Sequence, residues 1–65
     1  MIRLIRREVI INTKTERTFR GVLWSRWFGV YVLKQAQMLG KGSAIDIDGE
    51  VVILKQDIDF IQVVR

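Results

Sequence analysis

Thr18–Leu33 reads TFRGVLWSRWFGVYVL. These sixteen residues hold both tryptophans, two of the three phenylalanines and the only tyrosine of a 65-residue chain, with Arg20 and Arg26 among them. Such a cluster is either the filling of a small β-barrel or a stacking platform for a nucleic acid. Its alternation points first to strands. Phe19, Gly21, Leu23 and Ser25 share one face of a strand, and Arg20, Val22, Trp24 and Arg26 share the other. Gly21 marks a place where the sheet coils tightly or a second backbone comes close. A short corner follows at Trp27–Gly29, and a further strand runs from Val30 towards Met38 with Tyr31 and Leu33 on one face. Phe19, Phe28 and Tyr31 are expected in the core and Trp24 on the barrel's outer side.

The period of two continues in both directions. Val9, Ile11 and Thr13 face one way, Ile10, Asn12 and Lys14 the other, and Thr15-Glu16-Arg17 is a polar turn. Gly40-Lys41-Gly42 is a second turn. Ala44–Leu54, AIDIDGEVVIL, has two readings: a hairpin at Asp48-Gly49, or one long strand bent through a bulge at Gly49. Lys55-Gln56-Asp57-Ile58 is a tight connection and Asp59–Val64 a closing strand. Ile2, Leu4 and Ile5 leave residues 1–8 open to a helical turn or a strand. The expected fold is all-β: one domain over residues 1–65, a small five-stranded, strongly bent SH3-like barrel with room for a short N-terminal helical turn.

A chain this short buries only about 60% of the surface that its unfolded form exposes. It has no Cys for a disulfide and no His for the usual zinc sets. With 49% hydrophobic residues, self-association is the expected remedy. The net charge of +4 is unevenly spread. Residues 1–41 hold nine Lys/Arg against Glu8 and Glu16, whereas residues 42–65 hold Lys55 and Arg65 against Asp46, Asp48, Glu50, Asp57 and Asp59. The basic part suits a polyanion such as RNA, and equally a head-to-tail contact with another copy's acidic part. No signal peptide or apolar run of membrane-spanning length is visible, so a cytoplasmic protein is expected. Catalytic machinery is missing too: there is no Gly-rich phosphate loop, and neither Ser25 nor Ser43 has an evident base. Neither enzymatic activity nor a cofactor is expected.

The pattern resembles the Sm and Sm-like (Lsm) family. That family's first motif is an aromatic or aliphatic residue followed by x-Gly-x-Leu, then a loop and a strand ending in Leu. Phe19-Arg20-Gly21-Val22-Leu23 and Phe28-Gly29-Val30-Tyr31-Val32-Leu33 fit it with the loop one residue short, and Ala36 and Met38 continue the fit. Gly49–Leu54, Lys55–Ile58 and Phe60–Val63 match the second motif without a gap, which favours the single bent fourth strand. The match covers Val9 to Val64. It implies a head-to-tail homo-oligomeric ring of about five to seven subunits, in which the fourth strand of one copy pairs with the closing strand of the next. The interface candidates are therefore Val51, Val52, Ile53, Leu54, Phe60, Ile61 and Val63. The family's uridine contacts are an Asp and an Asn in the first motif and an Arg-Gly pair in the second. They fall here on Arg26 (or Trp27), on Val30 and on Leu54-Lys55, so every polar contact residue is replaced. Small proteins of this stripped-down kind resemble those encoded by bacteriophages, for which the cytoplasm would be the host's.

With that pocket replaced, single-stranded RNA would be held by charge and stacking. The candidates are Arg26, Trp27, Lys55 and Gln56, with Arg3, Arg6 and Arg7 as a second basic cluster. Asp46, Asp48 and Glu50 read as a solvated strand face, and no metal is assigned to them. The competing class is a structural or assembly protein that uses the ring without nucleic acid.

Overall fold

The computed structural model describes residues 4–64. In chain order the strands are β1 (Glu8–Thr13), β2 (Thr18–Trp27), β3 (Val30–Gly40), β4 (Ser43–Asp46), β5 (Val51–Leu54) and β6 (Ile58–Val63), with a 3-10 turn at Lys55–Asp57 before the last. They form one antiparallel sheet in the order β4-β3-β2-β1-β6, with β5 also on β3. β5 lies along the first half of β3 (Val30↔Leu54 to Leu33↔Val51) and β4 along its second half (Gln37↔Asp46 to Gly40↔Ser43). The two are pieces of a single bent fourth strand, so the sheet is five-stranded as expected. The Asp48-Gly49 hairpin does not form. Gly49, at φ 89°, lies in the break between the pieces, and opposite it β3 itself kinks at Gln35, φ 52°. The Ile47 N–H donates to the Ala36 carbonyl at 2.9 Å and stitches the break to β3.

One face of the curled sheet closes over Val9, Ile11, Leu23, Tyr31, Leu33, Ala36 and Ile53, with Leu4, Phe19, Val51, Ile58, Ile61 and Val63 packed around them. Burying each large aliphatic side chain there contributes roughly 1.5–3 kcal/mol. Gly21 belongs to this curl: a Cβ on it would stand 3.1 Å from both the Ala36 Cα and the Lys34 carbonyl oxygen. At the N-terminal end no helix forms among the described residues. Leu4 packs on the core, Arg6 N–H donates to the Leu23 carbonyl at 2.6 Å, and Leu23 N–H donates to the Arg7 carbonyl at 3.0 Å. Residues 4–7 are thus a turn strapped to β2.

Two expectations need correction. Phe28 is not in the core; it is 89% exposed. Nor does the alternation of β2 run unbroken. The register passes from Leu23↔Leu33 directly to Ser25↔Val32, leaving Trp24 as a bulge. Every residue beyond a one-residue bulge changes face. Arg26 therefore stands opposite the buried Tyr31 and points to its side of the sheet, while Ser25 takes the outer face.

The sheet stays open between β5 and β6. Among the described residues, β5 pairs only with β3 and β6 only with β1. The Lys55 N–H donates to the Gly29 carbonyl, and the Val64 N–H to the Glu8 carbonyl. These bonds fix the alternation of each ladder: Val52 and Leu54 turn their peptide groups away from β3, and Ile61 and Val63 turn theirs away from β1.

Candidate nucleic-acid interface

The β2–β3 hairpin closes through two residues, Phe28 and Gly29, between the paired Trp27 and Val30. Both have positive φ, 46° and 76°, which is what a type I′ turn demands because its twist matches that of the flanking strands. Glycine meets this demand freely. Phenylalanine does not, and the turn holds its side chain out into solvent. Trp27 beside it is 70% exposed. The two rings meet edge to face, centroids 5.1 Å apart at 86°.

The 3-10 turn after β5 is tied to this tip by the Lys55 N–H···O=C Gly29 bond of 2.7 Å. Two adjoining hollows lie where they meet. One, of about 460 Å³, is lined by Phe28, Gly29, Leu54, Lys55 and Gln56. The other, of about 380 Å³, is lined by Arg26, Phe28, Gly29, Tyr31 and Lys55. Arg26 is thus brought to Lys55 and its neighbour Gln56 across the two hollows, while Trp27 lines neither and adjoins them through Phe28. The Trp24 bulge is the cause for Arg26, since without it the guanidinium would face the opposite side. Phe28 was not among the sequence candidates, yet it lines both hollows. Its signal was present: a two-residue loop ending in Gly before an alternating strand is hairpin grammar, and a loop tip exposes its side chains.

Other candidates lie elsewhere. The Arg6 guanidinium sits 4.9 Å and the Lys34 ammonium 4.3 Å from the centre of the Trp24 ring. The ring is 42% exposed on the outer face and already engaged by two cations, each worth about 0.5–1 kcal/mol at an exposed site. Lys34 also reaches Glu50 at 3.6 Å. Arg7 is exposed on the turn beside Leu23, and Arg3 lies outside the described residues. Arg20 donates to Glu8 at 2.6 Å, and that hydrogen bond, then the carboxylate's charge, raises its pKa. Asp46 accepts a hydrogen bond from Gln37 at 2.7 Å.

Of the interface candidates, Val52, Leu54 and Phe60 are exposed at the seam, and Val51, Ile61 and Val63 are half-buried. Ile53 is the exception: its side chain is committed to its own core. A groove of about 340 Å³ runs along the open edge of β5, lined in part by Phe19, Val51, Val52, Ile53 and Leu54.

In three dimensions the chain overlays a heptameric archaeal Sm protein at a TM-score of 0.85, covering 95% of this chain and 91% of that one at 22% identity. It likewise overlays the Pyrococcus abyssii Sm protein solved with a uridine heptamer (TM-score 0.83, 24% identity, 94% and 87% covered). This is the Sm fold. A chain of the NatC complex bound to CoA is similar as well, at 0.85 with 14% identity and coverages of 100% and 88%. No protein-family model and no curated protein sequence matches. The hairpin tip and the 3-10 turn lie at or beside Arg26, Trp27, Val30 and Leu54-Lys55, the positions that the sequence resemblance singled out. Together they present the exposed rings of Trp27 and Phe28 and the cations of Arg26 and Lys55.

Proposed function

We propose that the chain assembles through β5 and β6 into a closed homo-oligomeric Sm-type ring of about five to seven copies, and that the ring binds single-stranded RNA. Arg26 and Lys55 hold phosphates, Trp27 and Phe28 stack on bases, and Gln56 hydrogen-bonds at the rim. One observation carries the RNA reading: Arg26, Phe28, Lys55 and Gln56 line two adjoining hollows, with the exposed Trp27 ring set edge to face against Phe28, on a fold whose archaeal counterpart was solved with a uridine heptamer. Stacking contributes about 1–3 kcal/mol per base, and each phosphate neutralised adds salt dependence.

A salt titration of labelled oligo-U, oligo-A and DNA tests it. Binding that weakens steeply with salt and drops on Trp27→Ala is expected; absence of binding at low salt refutes it. In that event the second reading takes over: a ring, or a subunit of a larger assembly, with no nucleic-acid role. The likeness to a chain of the NatC complex favours that reading, as does the replacement of every pocket residue. A cytoplasmic location, the host's for a bacteriophage-encoded chain, belongs to the same proposal and rests on sequence alone.

A further inference from the structure

We infer that the loop site takes single strands of either sugar and prefers purines to uridine. The inference rests on the single-strand reading above and concerns its substrate class. Selecting uridine requires hydrogen bonds to a base edge, and selecting RNA over DNA requires a partner for the 2′-hydroxyl. The side chains that line the two hollows supply little of either. Arg26 and Lys55 are cations suited to phosphate, which both polymers share. Phe28, Gly29 and Leu54 offer no side-chain hydrogen bond, and Tyr31 is only 8% exposed. That leaves the amide of Gln56, which both donates and accepts and so can satisfy any base edge.

What the site does offer is aromatic area in a defined shape. Trp27 and Phe28 stand at 86° with centroids 5.1 Å apart, forming a corner of two rings. A base lying flat on one ring meets the other at its edge. Stacking grows with overlapped area, so the larger purine face gains more than uracil does. The corner is fixed in place: its hairpin has only two loop residues, and Lys55 pins Gly29 to the 3-10 turn at 2.7 Å. The resulting order of preference is the reverse of a uridine-specific pocket.

The test is fluorescence anisotropy with oligo-A, oligo-U, oligo-dA and oligo-dT of about ten nucleotides, at about 50 mM salt where phosphate contacts are strong. Oligo-A and oligo-dA should bind within about threefold of each other, and each should exceed its pyrimidine counterpart by at least about threefold. Phe28→Asn should shrink the purine preference. Lys55→Gln should weaken all four alike and flatten the salt dependence. RNA bound more than about tenfold tighter than DNA, or uridine bound above adenine, overturns this inference and leaves the single-strand reading standing. No binding to any of the four overturns both.

Discussion

Phe28 holds a left-handed backbone conformation, φ 46°, that costs a side chain with a Cβ roughly 1–2 kcal/mol. Asparagine tolerates it. Phe28→Asn should therefore raise stability by about 1 kcal/mol, some 4–8 °C in Tm for a domain this size, and weaken single-strand binding by about tenfold as one stacking ring is lost. A melt and a titration on the same sample check the two opposed changes; a drop in both would mean that Phe28 holds the fold. Gly21→Ala places its Cβ 3.1 Å from the Ala36 Cα and the Lys34 carbonyl. Those are backbone atoms with little room to yield, so a loss of about 1–3 kcal/mol is expected from the denaturation midpoint. Trp24→Ala removes the ring that Arg6 and Lys34 flank but should leave oligonucleotide affinity unchanged, and a large loss would move the binding surface to the outer face. At this scale the sequence was legible wherever a residue's role follows from alternation. Gly21, Leu23, Tyr31 and the outer Trp24 sit where their spacing put them. Phe28 was misjudged because hydrophobicity argues for burial, and only the positive φ of its turn overrides that.

Among the elements, β1, the polar turn at 15–17, the 3-10 connection and β6 were all readable, since a period of two bounded by polar turns has few other solutions. The bulges were not. Trp24 in β2 and Gln35 in β3 each change the side chain's face for the residues beyond, and nothing in their side chains announces it, because a bulge answers to the curl of the whole sheet. This is why Arg26 was assigned to the outer face and is found beside Tyr31 and Lys55. The β5 edge carries its own test. Val52 turns its N–H away from β3, so proline there removes no hydrogen bond within the chain. Val52→Pro should leave the strand signal in far-UV circular dichroism and abolish higher-order assembly in gel filtration. Ile53→Pro, whose N–H faces β3, should unfold the domain. If Val52→Pro assembles normally, β5 is not a contact edge.

For the whole molecule, the central fact is a sheet that does not close. Among the described residues, β5 and β6 each leave one edge of peptide groups unpaired, flanked by exposed Val52, Leu54 and Phe60, an arrangement that invites pairing with another strand. Both Trp27 and Phe28 lie at one end of that sheet, beside the connection between the two open strands, so assembly would bring several copies of the aromatic corner around a common axis. The uneven charge, basic before residue 42 and acidic after it, favours a head-to-tail contact over a face-to-face one. A rotation that closes gives a ring. Light scattering on the purified chain at tens of micromolar tests this most directly. One species of about five to seven times the 7.6 kDa chain mass is expected; a 7.6 kDa monomer across that concentration range would contradict assembly through β5 and β6.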